Sequence, residues 1–353
     1  MKSVVAVDLF CGIGGLTSGL KASGIDVVAG IDIDSSCKYA YEENNGAKFI
    51  AADVSEISGE FVSNLYPENS VRILAGCAPC QPYSSIRNGK KATTVEEKQL
   101  KAFIRLIQET VPDIVTMENV VNLQRRQIYK EFLVALGSLH YNIWERSVNA
   151  ADYGVPQKRR RLVLLASRIG SISMIPATHT KESYVSVEQT IKRLVPLRAG
   201  HTSKLDPMHK ARDLSDLNLK RIKASKPNGT WMDWDEHLRL KCHLKESGKS
   251  FKAVYGRMSW NKPAPTITTK FHNIGSGRFG HPSQNRSLTP REAALLQTFP
   301  VDYKFVEEGE PVLFEKMGRW IGNAVPVKLA ENIGLSIVKC IADNLITKEE
   351  MER

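Results

Sequence analysis

The sequence lacks any long hydrophobic run: no stretch approaches the roughly 18–20 consecutive apolar residues of a membrane span. Cysteine is scarce, since 6 residues are scattered over 353, which excludes a small disulfide-rich secreted scaffold and favours reduced thiols. Glycine and proline, at 24 and 16 residues, are too few for a collagen-like or disordered chain. The chain reaches Asp8 too early for a signal peptide, so we expect a globular cytoplasmic protein with no membrane partner.

Negative charge is in deficit, with 38 acidic residues against 49 Lys and Arg, a net charge of +11. Most of the excess lies in residues 171–260, which carry 17 basic and 9 acidic residues, a net +8. A local positive surface suits a polyanion, because neutralised phosphates release their condensed counterions. A solvated basic face is the alternative, and charge alone does not decide between the two.

Short apolar runs alternate with helix-like stretches through the first half of the chain, a pattern typical of βα units. It predicts an α/β fold with a doubly wound, mostly parallel sheet in a domain of residues 1–170. The predicted strands are Val4–Leu9, Val27–Ile31, Phe49–Ala52, Val71–Ala75, Ile114–Met117 and Leu162–Ala166.

The alternation stops after about Ser171, where the chain becomes polar and basic. We expect a second, smaller domain of irregular or β-rich structure at residues 171–320, with its most variable part at about 171–260. Residues 321–353 contain an amphipathic stretch, Leu329–Ile346, which predicts a helix that packs back on the first domain.

A glycine-rich turn follows the first predicted strand, in the run Asp8-Leu9-Phe10-Cys11-Gly12-Ile13-Gly14-Gly15. Glycines at such a turn let the backbone approach a ligand that faces the helix N-terminus. The dinucleotide fingerprint requires a third small residue where this sequence has Thr17, so a pyrophosphate of the NAD type is disfavoured. The run instead resembles the first motif of methyltransferases that use S-adenosylmethionine.

Two acidic residues follow predicted strands at positions that suit a nucleoside. Asp32 ends the second strand about 20 residues after the glycines, where a carboxylate can accept hydrogen bonds from ribose hydroxyls. Asp53 follows the third strand and could lie beside an adenine. A helix cap or turn is the ordinary role of a strand-ending Asp, so the interpretation depends on the combination with the glycine turn.

Cys80 follows a predicted buried strand, in the run Ala75-Gly76-Cys77-Ala78-Pro79-Cys80, and should lie at the carboxyl edge of the sheet. Cys77 and Cys80 form a C-x-x-C, but no second pair completes a zinc set, and we expect no metal. A nucleophilic cysteine fits better than a redox pair, and it needs an acid or base nearby. Glu118, which ends another buried strand, should lie at the same edge.

Successive segments resemble the motifs of the DNA (cytosine-5) methyltransferase family, in the family's order. The similarity spans residues 4 to about 335, except for the variable basic region. The matching segments are Pro79-Cys80-Gln81, Glu118-Asn119-Val120, Gln157-Lys158-Arg159-Arg160-Arg161, Arg286 to Glu292, Leu296 to Pro300, and Gly322-Asn323-Ala324-Val325-Pro326.

The resemblance implies a covalent mechanism on a cytosine flipped out of double-stranded DNA. The Cys80 thiolate would add to C6 while Glu118 binds the N3/N4 edge, and C5 would then take a methyl group from S-adenosylmethionine. Arg159 and Arg161, two apart on a predicted strand, would point to one face and steady the base. Lys158 and Arg160 would point the other way.

The remaining contacts follow from the matched positions. A mobile loop from Pro82 to about Gln99 would close over the base, and Gln81, Ser84, Asn119 and Gln157 would contact the substrate. The residues implied around the cofactor are Phe10, Gly12, Gly14, Asp32, Ile33, Asp53, Val54, Pro79, Asn323 and Ala324.

Residues 171–260 would read the target DNA, with Trp231, Trp234, Arg239, Lys241 and Arg257 as candidate contacts, although both tryptophans suit a core equally well. A chain of this length has no room for the long regulatory extensions of the family's eukaryotic maintenance enzymes, so we expect a prokaryotic modification enzyme, acting as a monomer. A restriction endonuclease would be its usual genetic partner, but an orphan methylase fits the sequence equally well. Two alternative functions fit the motifs less well. A tRNA methyltransferase of this family would carry a Cys-Phe-Thr signature, which is absent, and an inactive DNA-binding member would be expected to lose Cys80 or Glu118.

Overall fold

A computed structural model describes residues 3–79, 94–246 and 252–351. A seven-stranded sheet forms its centre, in the order β3-β2-β1-β4-β5-β8-β6, and a two-stranded sheet joins β7 to β9. The strands are β1 Val4–Leu9, β2 Asp26–Asp32, β3 Lys48–Ala51, β4 Val71–Gly76, β5 Ile114–Asn119, β6 Asn142–Asn149, β7 Gln157–Lys158, β8 Arg160–Ser167 and β9 Ala264–Pro265.

The large sheet is mostly parallel, as predicted. Strand β1 pairs in parallel with both β2 and β4, and β8 alone runs antiparallel to its neighbours β5 and β6. The strand order reverses between β1 and β4, and the loops after two such strands enclose the ligand crevice of doubly wound sheets. The turn after β1 and the segment after β4 therefore lie side by side.

Helices cover the sheet. The predicted helix Leu329–Ile346 is confirmed, since it lies within the observed helix α10, Val327–Met351. The helices are α1 Gly15–Ala22, α2 Lys38–Asn45, α3 Gly59–Ser63, α4 Thr94–Thr110, α5 Gln127–Ser138, α6 Val187–Ile191, α7 Asp216–Ala224, α8 Pro290–Leu296, α9 Phe314–Asn323 and α10 Val327–Met351. Asp34 caps a short 3-10 turn, Ser35–Cys37, that leads into α2. Within the described ranges, no helix is both long and apolar enough to cross a membrane.

Helices α1 and α10 pack backbone against backbone. A Cβ added to Gly19 of α1 would overlap the side chain of Ala330 and the backbone of Val327 and Glu331. Leu16, Leu20, Leu329 and Ile333 fill the same buried cluster. This contact joins α1 to α10, two helices that lie roughly 300 residues apart in the sequence.

Residues 171–260 are irregular rather than β-rich. The described part holds α6, α7, short 3-10 turns and isolated bridges such as Thr202 to Lys210. Trp231 and Trp234 are buried in a small core with Leu238, so the core alternative for both tryptophans is the one observed.

Arg257 is buried and does not lie on the surface as a DNA contact would require. Its guanidinium donates to the carbonyls of Ser225, Ile222, His281 and Gln284. The expected DNA contact of Arg257 is therefore wrong, because these bonds hold the region's own loops together. Arg239 is half-buried and donates to backbone carbonyls of the tryptophan segment, whereas Lys241 is exposed.

We expect Gly19→Ala to destabilise the protein by about 1–3 kcal/mol, because the added methyl group must displace the α10 backbone. Gly137→Ala in α5 is the matched control: its Cβ meets nothing within 4 Å, so helix propensity should stabilise it by about 0.5–1 kcal/mol. Urea unfolding measures both. Equal effects of the two substitutions would contradict the close packing of α1 on α10.

Candidate active site

The turn after β1 is held in a conformation that suits glycine. Gly12 and Gly14 have φ of 50° and 87°, and Phe10 has φ of 60°. The Phe10 amide donates to the Ile31 carbonyl at 2.7 Å, which ties the turn to β2. A Cβ on Gly12 would meet nothing within 4 Å, so open space lies against this backbone.

Asp32 holds the glycine turn from the end of β2. Its Oδ2 accepts from the Gly12 amide at 2.9 Å and its Oδ1 from the Asp34 amide at 2.8 Å. Burial raises the pKa of Asp32, and these amide donors oppose the rise. The neighbouring Ile33 side chain is 69% exposed. A half-buried carboxylate, an exposed apolar side chain and open space beside Gly12 fit the ribose and base of a nucleoside.

Asp53 lies after β3, on the same side of the sheet. Its Oδ1 accepts from the Ser55 amide and hydroxyl and from Gln99 Nε2, at 2.8, 2.6 and 2.8 Å. Burial opposes ionisation, but these hydrogen bonds outweigh it and lower the pKa of Asp53. Val54 is buried in the core. Gln99 belongs to α4, which begins at Thr94, so the predicted loop Pro82–Gln99 is wrong at its C-terminal end.

The distant segment Asn323-Ala324 lies beside the glycine turn. A Cβ on Gly15 would stand 3.4 Å from the Ala324 Cβ and would overlap the Val325 carbonyl. Asn323 is exposed at the end of α9, and Pro79, after β4, is exposed as well. The structure thus brings together residues that the sequence separates by about 300 positions.

Glu118, the penultimate residue of β5, has a carboxylate that is almost completely buried, since the residue is 3% exposed. Its Oε1 forms an ion pair with Arg161 Nε at 3.0 Å, and its Oε2 accepts from the Cys77 thiol at 3.2 Å. Among the described residues, no aligned hydrogen bond reaches Oε1. A buried carboxylate oxygen without a hydrogen bond is costly, which marks Oε1 as a position for a donor supplied by a ligand.

Asn119 fixes the segment that leads to Cys80. The buried Asn119 side chain donates to the Ala78 carbonyl at 3.1 Å and accepts from the Val120 amide at 2.8 Å. Its amide therefore joins the ends of β4 and β5. Cys80, Gln81, Ser84 and most of the predicted mobile loop lie outside the described residues.

Arg159 and Arg161 do not share a strand, contrary to prediction, because the chain passes from β7 into β8 at Arg159. Both are more buried than Lys158 and Arg160, so the expected alternation is observed. Arg161 reaches Glu118, whereas Arg159 donates to the carbonyls of Ile267, Gly322 and Ala324. Arg159 thus supports the backbone of the Asn323-Ala324 segment.

Gln157 is fully buried, and other residues of the protein form the hydrogen bonds of its side-chain amide. Its Nε2 donates to the Leu296 carbonyl and to Gln297 Oε1, and its Oε1 accepts from the Ile267 amide. Both amide hydrogens are used, so the expected contact of Gln157 with substrate does not fit this environment. Its structural role is to connect β7 to β9 and α8.

Asp8 is a site residue whose role the sequence did not reveal. It is 1% exposed, its Oδ2 accepts from the Thr17 hydroxyl at 2.7 Å, and its Oδ1 has no hydrogen-bond partner among the described residues. Burial raises the pKa of Asp8 to about 7; the Thr17 hydrogen bond opposes the rise and the Asp32 charge adds to it. Asp8 is the one charged residue of the apolar strand β1, and this feature could have indicated a functional carboxylate.

We expect the stability of the protein to depend on the ionisation of Asp8. Between its ordinary pKa of 3.8 and about 7, the folded chain holds a proton that the unfolded chain has lost. This stabilisation is complete below pH 3.8 and lost as the pH rises through 7. Each pH unit in this window changes the free energy of unfolding by about 1.4 kcal/mol. Between pH 5 and 8, the free energy of unfolding of wild type should therefore fall by about 2–3 kcal/mol relative to that of Asp8→Asn.

Denaturant unfolding at the two pH values measures this difference. Asp26→Asn, which changes an exposed carboxylate at the start of β2, is the control and should follow wild type. Parallel behaviour of Asp8→Asn and wild type would contradict the assignment.

Comparison with solved structures identifies the fold. A candidate DNA modification methyltransferase encoded within an E. coli prophage matches with a TM-score of 0.73 at 21% identity, covering 96% of this chain and 100% of that one. The chain therefore has the methyltransferase fold.

Sequence comparisons identify the family. A family model, C-5 cytosine-specific DNA methylase, matches residues 4–339. Type II methylase M.HgiDII of Herpetosiphon aurantiacus is 49% identical over 334 residues, which cover 94% of each chain. Type II methyltransferase M1.BsuMI of Bacillus subtilis (strain 168) is 32% identical over 355 residues, 95% of this chain and 80% of that one. The chain belongs to this family and is a DNA cytosine-5 methyltransferase of the Type II restriction-modification kind.

Proposed function

We propose that the protein methylates C5 of a cytosine flipped out of a specific double-stranded DNA sequence, through a covalent bond between Cys80 and C6. The observation that carries the proposal is the Glu118 carboxylate, which is buried, paired with Arg161 and open at Oε1. It lies at the sheet edge to which β4 delivers the segment before Cys80.

The chemistry requires two groups to act on the same cytosine: a nucleophile at C6 and a carboxyl group at the N3/N4 edge. Cytosine C5 is a weak nucleophile, so the Cys80 thiolate adds to C6 and the electron pair of the C5–C6 bond becomes available at C5. Glu118 binds the N3/N4 edge and stabilises the charge that develops there. After C5 is methylated, a base removes the C5 proton, the C6–S bond breaks and the thiolate is released.

Arg161 holds Glu118 and faces the base O2 in this proposal. Its Nε lies 3.0 Å from Glu118 Oε1, so a base that donates to this oxygen comes within reach of the same guanidinium. Arg159 acts indirectly, through the carbonyls of Gly322 and Ala324.

The glycine turn and the acids around it fit S-adenosylmethionine, which supplies the methyl group when bound. Asp32 would accept hydrogen bonds from the ribose hydroxyls, Asp53 would face the adenine edge, and Ile33 would cover the base. Phe10, Gly12, Gly14, Val54, Pro79, Asn323 and Ala324 complete the proposed surroundings.

We expect Asp32→Ala to weaken binding of S-adenosylmethionine by about 1–3 kcal/mol, the cost of leaving buried polar groups unpaired. Titration calorimetry on the purified protein measures it. Asp26→Ala, at the opposite end of β2, should bind as wild type does. An affinity of Asp32→Ala for S-adenosylmethionine equal to that of wild type would contradict the assignment of Asp32 to the cofactor site.

Residues 171–320 are proposed to select the DNA sequence, because residues 171–260 carry the surplus of positive charge outside the catalytic segments. Exposed lysines such as Lys241 would contact the phosphates, and Arg257 would shape the region from within. The relatives are bacterial Type II methylases, and the proposed substrate is DNA. Both support a protein that acts in the cytoplasm and has a cognate restriction endonuclease as its genetic partner.

The covalent step gives the sharpest prediction. A duplex with 5-fluorocytosine at the target should be methylated and then stall, because fluorine cannot leave C5 as a cation in place of the proton. The protein should remain attached to the DNA through denaturing electrophoresis, and only when S-adenosylmethionine is present.

Cys80→Ala should abolish this adduct, whereas Cys77→Ala should still form it, which separates a nucleophile from a redox pair. Glu118→Gln should slow adduct formation strongly. An adduct formed equally well by Cys80→Ala would refute the proposed mechanism.

A further inference from the structure

The first cysteine of the C-x-x-C, Cys77, has no role in the reaction proposed above, yet it contacts the carboxylate of Glu118. Cys77 follows β4 directly, and its Sγ lies 3.2 Å from Glu118 Oε2. We infer that Cys77 is a positioning residue: its thiol fixes the Glu118 carboxylate so that Oε1 is presented to the base. This inference rests on the proposed role of Glu118.

The backbone on both sides of the thiol is held in place. The Cys77 amide donates to the Leu9 carbonyl of β1 at 3.3 Å. The next carbonyl, that of Ala78, accepts from Asn119 at 3.1 Å. Since Asn119 follows Glu118 in β5, the thiol and the carboxylate are positioned by the same pair of strand ends.

A carboxylate needs this restraint because the last torsion of a Glu side chain is broad and roughly twofold. The ion pair with Arg161 engages Oε1 without an aligned hydrogen bond. The thiol bond on Oε2 opposes rotation of the carboxylate. With Oε2 occupied, Oε1 is the oxygen left for a donor such as the cytosine amino group, which presents N–H at N4.

The thiol is a weak donor, and it binds Oε2, the oxygen that the base does not need. A donor bound to Oε1 would instead block the base. It therefore orients the carboxylate without competing for the base. Its loss would leave a buried carboxylate oxygen without this donor and would release the rotation.

Single-turnover methylation of a duplex containing the target sequence tests the inference. Cys77→Ala should reduce the rate constant by about 10–20-fold, the low end of the effect of one hydrogen bond to a charged group, because a thiol is a weak donor. Cys77→Ser should recover most of the rate, because its hydroxyl can donate from the same position. Affinity for the duplex and the thermal midpoint should change little in Cys77→Ser.

A double-mutant cycle with Glu118→Gln separates positioning from packing. If Cys77 acts through the carboxylate, Cys77→Ala should have a much smaller effect in the Glu118→Gln background than in wild type. Equal effects in both backgrounds, or a Cys77→Ala rate equal to wild type, would overturn the inference. If Glu118→Gln itself methylates as fast as wild type, the proposed role of Glu118 fails instead.

Discussion

Strand β1 lies in parallel register between β2 and β4, and the site depends on this pairing. Leu9 stands beside Ile31 on one side and Gly76 on the other, so the three strands end at one level. The glycine turn, Asp32 and the segment before Cys80 start from these ends. Parallel strands with both faces covered are apolar almost throughout, and the polar groups therefore collect where the strands end.

Buried charge in this protein is tolerated where a partner compensates it. The Arg286 guanidinium bonds both oxygens of Glu292, and although burial opposes ionisation, Arg286 brings the Glu292 pKa down to about 2. Asp8 accepts from a hydroxyl and has no ion pair within the part of the chain that the structure describes, and burial raises its pKa. Glu118 has different partners, with a guanidinium at one oxygen and a thiol at the other. That incomplete satisfaction is what a ligand-binding carboxylate requires.

Local patterns predicted the sheet well, because apolar runs and glycine turns act over a few residues. Val4–Leu9 was predicted with the bounds that β1 has. Side-chain partners were harder to predict, since they depend on distant segments. Gln157 and Arg257 carry polar groups that suggest a ligand, yet carbonyls from far along the chain satisfy both. Arg161 and Glu118, each of which the resemblance assigns to the flipped base, instead form an ion pair with one another.

The contact between α1 and α10 also constrains how the protein is made. Roughly 300 residues of chain separate the two helices, and closing so long a loop is a late and slow event in folding. On the ribosome, α1 would wait without its packing partner until residues 327–351 have been synthesised. The Asn323-Ala324 segment, which lines the glycine turn, arrives with them. A nascent chain that has not reached these residues therefore lacks one wall of the glycine turn, and α1 is the apolar surface that a chaperone would need to shield meanwhile.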